Sequence, residues 1–214
     1  LILTIDAKGF SLNFVFRLKR VMAREGWSAP IVHTVAPTVW AWGSWRRHKF
    51  AKAFDGLMCL LPFEPNYFTP LGLESYFIGH PAAFEIRSKK PIKISTVPPT
   101  VPQITLLPGS RFSEINYILP DMIEAVALLR REFPRAIFTL PTLPRLQRRI
   151  LDLCAEQPIR VVDADEHLTN SLSQCDAVIA ASGTVTLQAA LYGAPGVACY
   201  KTSWFSGTLG RMIV

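Results

Sequence analysis

Two stretches of the sequence place small and polar residues directly after an apolar run, where they could meet a ligand. In "LLPGSRFSEI" (106–115), Gly109 and Ser110 permit a tight turn before a helical pattern, and Arg111 adds a cation. Backbone N–H groups at such a turn favour phosphate, and a guanidinium strengthens that preference. An ordinary strand-to-helix turn with a surface arginine fits equally well, and the spacing is not that of a Walker loop.

The second stretch, "VIAASGTVTLQAALYG" (178–193), passes through Ser-Gly-Thr into a helical pattern. We expect Ser182 to cap this helix, which would put Gly183 and Thr184 in its first turn with free N–H groups for an anion or a sugar hydroxyl. Gln188 lies on the same helix face as Thr184, where its amide could both donate and accept. A capped helix with a solvated glutamine would give the same pattern.

Two further polar residues follow strand-like runs. Asp6, in "TIDAKGFSLN" (4–13), is either a helix cap or a general base that faces a ligand. His80, in "FIGHPAAF" (77–84), fits a structural role as well as a ligand contact. Each residue alone is weak support for a site.

Aromatic and basic residues are interleaved in "VWAWGSWRRHKFAK" (39–52). Trp40, Trp42 and Trp45 precede Arg46 and Arg47. Such a mixture can stack on bases or lie at a lipid–water interface. The alternative is that one or two tryptophans belong to the core and the charges are solvated. Three tryptophans within six residues are uncommon for a core alone, which favours a binding surface.

Short apolar runs and amphipathic helical patterns alternate along the chain and would position these residues. Continuous apolarity indicates strands covered on both faces, and the alternation indicates right-handed crossovers in an α/β fold with doubly wound parallel sheets. The predicted strands are Leu1–Ile5, Ile31–Val35, Leu57–Leu61, Tyr76–Ile78, Ile104–Leu107, Ala136–Leu140, Ile159–Val162, Ala177–Ala180 and Gly196–Tyr200.

Two helices carry apolar stripes that should face the core. The first stripe is Phe14, Val15, Leu18, Val21 and Met22, and the second is Ile115, Ile118, Leu119, Met122, Ile123, Val126 and Leu129, with a kink or a new helix start at Pro120. A proline-rich basic segment without a period interrupts the pattern. We therefore predict Rossmann-like domains at 1–85 and 103–214, joined by a linker at 86–102.

The composition limits the kinds of partner and site that the chain could have. The net charge of +7, from 23 basic and 16 acidic residues, suggests an anionic partner such as a nucleotide phosphate, a membrane surface or nucleic acid. The four cysteines form no CxxC pair, which argues for buried thiols in a reducing cytoplasm rather than a metal site or disulfides.

The start at "LILTID" lacks a signal peptide, and the end at "LGRMIV" interrupts a helical pattern, so we expect a fragment. The uncharged run 177–200 reads as strand–helix–strand rather than as a membrane span.

Taken together, the motifs resemble those of the lipid-A-disaccharide synthase family, glycosyltransferases with two Rossmann-like domains that face each other across a cleft (GT-B). The stretches that carry the resemblance are "IDAKGF", "APTVWAW", "LLPFEP", "FIGHP", "LLPGSRFSEI" and "AASGTVTLQAALYGAP". The resemblance implies inverting transfer of 2,3-diacylglucosamine from UDP to 2,3-diacylglucosamine 1-phosphate, which forms the β-1,6 disaccharide of lipid A without a metal or another cofactor. It also implies a peripheral location at the inner face of the cytoplasmic membrane and no nucleic-acid partner.

The resemblance implies a role for each candidate residue. Asp6 would be the base, and Arg111 would stabilise the charge that develops on the leaving diphosphate. The donor would contact Gly109, Ser110, Arg111, Ser182, Gly183, Thr184 and Gln188, and the acceptor or membrane side would hold Trp40, Trp42, His80, Arg46 and Arg47.

The sequence departs from the family pattern at two positions. Gln188 stands where the family usually has a glutamate, and we expect donor binding to be weaker by roughly 1 kcal/mol or more if a charge-assisted bond is lost. Gly9 replaces a second carboxylate of the first motif.

Two other interpretations remain open. One is another UDP-sugar enzyme of this fold, such as a muramyl-peptide transferase or a UDP-sugar 2-epimerase, although "VWAW" argues against both. The other is a basic nucleotide- or nucleic-acid-binding module, although the basic residues are divided among 46–52, 87–93 and 145–149 rather than lying along one face.

Overall fold

The structure is a computed structural model that describes residues 1–87 and 99–201. The chain divides into two compact units, with the boundary between Ala83 and Phe84. Most of the predicted linker at 86–102 lies outside the described residues, and its first two residues end a helix.

Each unit is built on a parallel sheet, and the predicted strands are all present with bounds shifted by at most two residues. The strands are β1 (Ile2–Ile5), β2 (Ile31–Thr34), β3 (Gly56–Cys59), β4 (Glu74–Phe77), β5 (Gln103–Leu107), β6 (Ile137–Thr142), β7 (Ile159–Asp163), β8 (Ala177–Ala181) and β9 (Gly196–Cys199). The helices are α1 (Lys8–Glu25), α2 (Arg46–Ala53), α3 (Pro81–Arg87), α4 (Phe112–Glu132), α5 (Pro144–Cys154), α6 (Ala164–Gln174) and α7 (Thr184–Leu191).

The first sheet has the sequential order β1-β2-β3-β4, and all its strands are parallel. Its core lies where α1 and α2 pack on the strands and is dominated by large aromatic and aliphatic side chains. The largest fully buried members are Phe50, Phe68, Ile31, Leu57 and Leu73. Leu3 and Ile5 of β1 are 52% and 67% exposed, so one face of this edge strand is not covered by the described residues.

The second sheet has the order β7-β6-β5-β8-β9, again with parallel strands. β6 and β7 lie on one side of β5, and β8 and β9 lie on its other side. This reversal of the strand order at β5 makes the sheet doubly wound. The α4 stripe packs on it as predicted, with Ile115, Ile118, Leu119, Met122 and Val126 buried.

Two helix predictions were wrong in part. Phe14 and Val21 of the α1 stripe are more than 40% exposed, while the small Ser11 is buried instead. No new helix starts at Pro120, because α4 is a single helix of 21 residues with the proline inside it.

The uncharged run at 177–200 forms β8, α7 and β9, as expected. No helix in the described part of the chain has the length and apolarity needed to cross a bilayer. Three of the cysteine thiols are buried. Burial, and after it the charge of Glu64, raises the pKa of the Cys59 thiol to about 12, so this thiol is a poor nucleophile at neutral pH.

Candidate functional site

In the second unit, the two Gly-containing loops of the sequence analysis are neighbours. One follows β5 and the other follows β8, and these adjacent strands pair Leu107 with Ala180. The strand order reverses between β5 and β8. Ligands of open α/β sheets bind beyond the carboxyl ends of the strands at such a reversal. The topology therefore brings Gly109–Arg111 and Ser182–Thr184 to the place where a ligand is expected.

The loop after β5 is organised by a carboxylate of its own helix. Glu114 accepts hydrogen bonds from the backbone N–H groups of Ser110 and Arg111 at 2.8 and 3.1 Å and forms an ion pair with the Arg111 guanidinium. Burial tends to raise the Glu114 pKa, but the Ser110 and Arg111 backbone and the guanidinium outweigh it and lower the pKa overall. These two N–H groups, expected to face a phosphate, already have an acceptor.

Gly109 is required by this arrangement. Its φ is +107°, and a Cβ atom built there would collide with the Glu114 carboxylate. Arg111, by contrast, remains 77% exposed in its side chain although one nitrogen contacts Glu114. Since a guanidinium carries five N–H donors, Arg111 can hold Glu114 and still present donors to an anion.

The start of α7 differs from the expectation. Ser182 is not the cap, because its N–H continues the sheet by donating to the Cys199 carbonyl at 2.8 Å. Gly183 is the N-cap residue, and no side chain caps the helix. The backbone N–H groups of Thr184 and Val185 have no acceptor within the described residues. A Cβ at Gly183 would have no neighbour within 4 Å, so the helix start is open to a ligand.

Gln188 follows Thr184 by one turn of α7, which places both side chains on one face. Gln188 is half-buried and Thr184 is exposed. The helix thus presents two free N–H groups and an amide at the edge of the sheet where β5 and β8 end.

In the first unit, four of the six motifs follow four parallel strands. "IDAKGF" follows β1, "APTVWAW" follows β2, "LLPFEP" follows β3 and "FIGHP" follows β4. Since the carboxyl ends of parallel strands share one edge of a sheet, these motifs lie along one edge.

Asp6 is not a helix cap. The N-cap residue of α1 is Ala7, and no side chain caps that helix. Asp6 has a φ of +47°, and its carboxylate is 63% exposed with Lys8 Nζ at 3.5 Å. Positive φ values are uncommon for residues other than glycine and cluster at functional sites. The carboxylate is therefore accessible to solvent beside Lys8.

None of the three tryptophans belongs to the core. Trp40, Trp42 and Trp45 are 44%, 50% and 56% exposed. The Arg46 guanidinium lies 4.0 Å from the Trp42 ring centroid and donates to the Trp42 carbonyl at 2.8 Å. Arg47 is half-buried at the start of α2. The tryptophans and Arg46 therefore form an exposed aromatic and basic surface, while Val39 and Phe50 of the same segment belong to the core.

His80 has a structural contact. Its Nδ1 accepts the N–H of Ala82 at 3.2 Å, which satisfies one of the free donors at the start of α3. This contact gives His80 a structural role, and its contact with the acceptor stays a prediction.

A family model described as lipid-A-disaccharide synthetase matches residues 1–214. The chain belongs to the lipid-A-disaccharide synthase family. The family member of Anaeromyxobacter dehalogenans is 35% identical over 217 residues, which are 99% of this chain and 55% of that protein. The chain thus spans about half the length of the curated relatives it matches.

Two solved structures share the fold of this synthase-family chain. An S. aureus MnaA–UDP structure has a TM-score of 0.58 at 12% identity and covers 94% of this chain and 66% of its own. A UDP-N-acetylglucosamine 2-epimerase structure from Listeria monocytogenes, described as putative in its name, has a TM-score of 0.55 at 13% identity and covers 89% of this chain and 60% of its own. At this identity the likeness establishes the GT-B type of fold and not the chemistry.

Three buried or partly buried polar residues of this synthase-family chain were not expected from the sequence. Glu114 could have been found, because a glutamate three residues after a helix cap is the signature of a capping box. Glu64 is 4% exposed and accepts the N–H groups of Leu60 and Leu61 at 3.0 and 2.9 Å, which holds the loop after β3. His33, an isolated histidine in the sequence, is fully buried in β2.

A cavity of about 140 Å³ in the second unit is not at this site. It lies under α6, against the amino-terminal halves of β5 and β6, and its lining includes Thr105, Thr139, His167 and Gln174. The free N–H groups of α7 lie at the opposite ends of the strands. Because ligands of this fold bind at the carboxyl ends, we assign no function to the cavity.

Proposed function

We propose that the full-length protein transfers 2,3-diacylglucosamine from UDP to 2,3-diacylglucosamine 1-phosphate and forms the β-1,6 disaccharide of lipid A. Membership of the lipid-A-disaccharide synthase family supports this reaction. The observation that carries the site assignment is the pair of loops after β5 and β8, which adjoin at the reversal of the second sheet.

The donor diphosphate would bind at the start of α7. The free N–H groups of Thr184 and Val185 and the open backbone of Gly183 suit an anion there. Arg111 would add the positive charge from the neighbouring loop. Gln188, one turn further along α7, would hydrogen-bond the ribose hydroxyls. The UDP in the MnaA structure is a ligand of that protein, and its presence is consistent with nucleotide binding by a chain of this fold.

The reaction needs one base and stabilisation of a leaving diphosphate. Asp6 would take the proton of the acceptor 6′ hydroxyl while that oxygen attacks the anomeric carbon of the donor. The bond from the anomeric carbon to the diphosphate oxygen breaks, and UDP leaves with the electron pair. Arg111 and the N–H groups of α7 would stabilise the growing negative charge, which is the main electrostatic demand of such a step.

The exposed tryptophans would place the acceptor side at the inner face of the cytoplasmic membrane. Trp42 and Trp45 are half-exposed beside Arg46, and such mixtures favour an anionic lipid–water interface. The acceptor is itself acylated and anionic, so it would be drawn from the same surface.

Thermal unfolding of the full-length protein with nucleotides tests the donor assignment. UDP at a hundred times its Kd should stabilise the protein by about 2.7 kcal/mol, and UMP and ATP should stabilise it less at equal concentration. Equal shifts with UMP and UDP would remove the diphosphate site. A salt-dependent shift with single-stranded DNA and none with UDP would favour the nucleic-acid-binding interpretation.

A transfer assay with Asp6→Asn tests the base. We expect turnover to fall at least a hundredfold, because general-base catalysis contributes about 10²- to 10⁴-fold. Near-normal turnover would remove Asp6 from this role. Analysis of the products also separates transfer from epimerisation of the UDP-sugar.

A further inference from the structure

We propose that His33 is a positioning residue for Asp6, and this inference rests on the proposed role of Asp6 as the base. The two residues belong to adjacent strand ends. β1 pairs with β2 so that Thr4 lies opposite His33, and Thr4 is two residues before Asp6. Thr4 Oγ1 and His33 Nδ1 share a hydrogen bond of 2.7 Å. The imidazole is therefore joined directly to β1, the strand that immediately precedes Asp6.

The imidazole ring is fixed on all sides. It is fully buried, it stacks on Phe54 with ring centroids 4.7 Å apart, and it meets the edge of Phe50 at 5.4 Å. The ring therefore has little freedom to turn. A fixed ring with one nitrogen on Thr4 determines where the Thr4 side chain lies, and through it the path of the last residues of β1.

The second ring nitrogen is poorly satisfied. His33 Nε2 is buried and makes no hydrogen bond of good geometry within the part of the chain that the structure describes, although the Val35 backbone lies near enough to raise the pKa of the ring. A buried polar atom without a partner destabilises a fold, and a phenylalanine would fill the same space among the aromatic rings without that penalty. Packing alone thus does not account for a histidine at this position.

Both strand ends beside His33 have an unusual backbone. Asp6 has a φ of +47°, and Val35, two residues after His33, has a φ of +79°. For a β-branched residue such a value is an outlier, and it persists only where the surroundings hold it. The Asp6 N–H donates to the Thr34 carbonyl at 3.0 Å, and Thr34 lies between His33 and Val35. This backbone hydrogen bond therefore links the positive-φ residue Asp6 to the positive-φ residue Val35. His33 is the polar side chain at the centre of this arrangement.

His33→Phe in the full-length protein separates positioning from packing. The variant keeps the ring stack and removes the poorly satisfied nitrogen, and Thr4 Oγ1 keeps the Val32 carbonyl at 3.4 Å as a partner, so the thermal midpoint should stay close to that of the wild type. Turnover should nevertheless fall at least tenfold, with the KM for the UDP-sugar changed less than twofold, because the donor contacts lie in the other unit. Phe68→Leu, in the same core but without a ring contact to His33, is the matched control: stability should fall while turnover stays within twofold.

His33→Asn provides the rescue. Its amide can occupy the position of Nδ1 and restore the bond to Thr4, so turnover should recover at least threefold over His33→Phe. Turnover of His33→Phe within twofold of the wild type would overturn the inference. Loss of stability and activity together, as in a destabilised core, with no recovery in His33→Asn, would overturn it as well. Asp6→Asn measured in parallel distinguishes failure of this inference from failure of the proposed function. If Asp6→Asn keeps normal turnover, Asp6 is not the base.

Discussion

Arg111 and Glu114 form an ion pair across the first turn of α4, and the same carboxylate accepts the backbone N–H groups of Ser110 and Arg111. The sequence suggested this loop as a phosphate-binding turn, but two of its backbone N–H groups already donate to a side chain of the following helix. The guanidinium is held in place but remains exposed. Under the proposed function, Arg111 would contribute to the donor site through its side chain, and the backbone donors that are free within the described residues would come from α7.

Replacement of Glu114 by glutamine should destabilise the second unit. We expect the free energy of unfolding to fall by about 1 kcal/mol at neutral pH, the typical value of a helix-capping interaction. The Glu114 pKa is lowered below its ordinary value of 4.5, so the stabilisation is present above that pH and is lost as the pH falls through the folded-state pKa. Denaturant titrations at several pH values should show the two proteins converge in acid. Glu124→Gln, exposed on the same helix, should show no such difference.

The two loop glycines should respond differently to alanine. Gly109→Ala must place a Cβ against the Glu114 carboxylate at a φ of +107°, so we expect a loss of about 1–3 kcal/mol of stability. Gly183 is extended with open space around it, so alanine there should cost less than about 1 kcal/mol. If a nucleotide approaches the Gly183 backbone, Gly183→Ala should nonetheless weaken UDP binding about tenfold in calorimetric titration. Unchanged UDP affinity would argue against a ligand at the start of α7.

Gln188→Glu should strengthen nucleotide binding. A carboxylate can accept from both ribose hydroxyls, and a charge-assisted bond is stronger than a neutral one by about 1 kcal/mol. We therefore expect the Kd for UDP to fall about fivefold. Thr184→Val, on the same helix face, controls for a general change at the site. A weaker affinity for UDP in Gln188→Glu would show that the side chain faces the phosphates instead of the ribose.

The sequence predicted the strands well because most of them are dominated by apolar residues, and parallel topology then placed the loops after β5 and β8 together. The occupied backbone donors of the loop after β5 were missed, although the capping-box spacing of Arg111 and Glu114 indicated that this carboxylate reaches back over the loop. The exposure of Phe14 could not be predicted from the sequence either. A helical period shows that apolar residues share a face, but not how much of that face its neighbours cover.

Membrane binding should depend on the exposed tryptophans. Replacing Trp42 and Trp45 by serine should reduce sedimentation of the full-length protein with anionic phospholipid vesicles at least fivefold, because amphipathic aromatic rings favour the lipid–water interface. Trp27 is the matched control, since it is 46% exposed in the same unit but precedes β2, at the opposite edge of the sheet. An equal loss with Trp27→Ser would indicate a nonspecific effect of surface hydrophobicity.

His33 should make the first unit sensitive to acid. Burial lowers the pKa of His33 from 6.5 to about 4, while Asp6 and the Val35 backbone raise it and Lys8 lowers it further. Between these two values the unfolded chain binds a proton at this residue and the folded chain does not. The free energy of unfolding therefore falls as the pH drops from 6.5 toward 4, by an amount on the order of 3 kcal/mol.

The His33→Phe variant should lack this component of the pH dependence. Its stability curve should run flatter than that of the wild type between pH 4 and 6.5, where only the loss of His33 distinguishes the two proteins. Above this window the imidazole is neutral in both states and contributes no slope. Parallel curves across the window would mean that the folded protein accommodates a protonated His33.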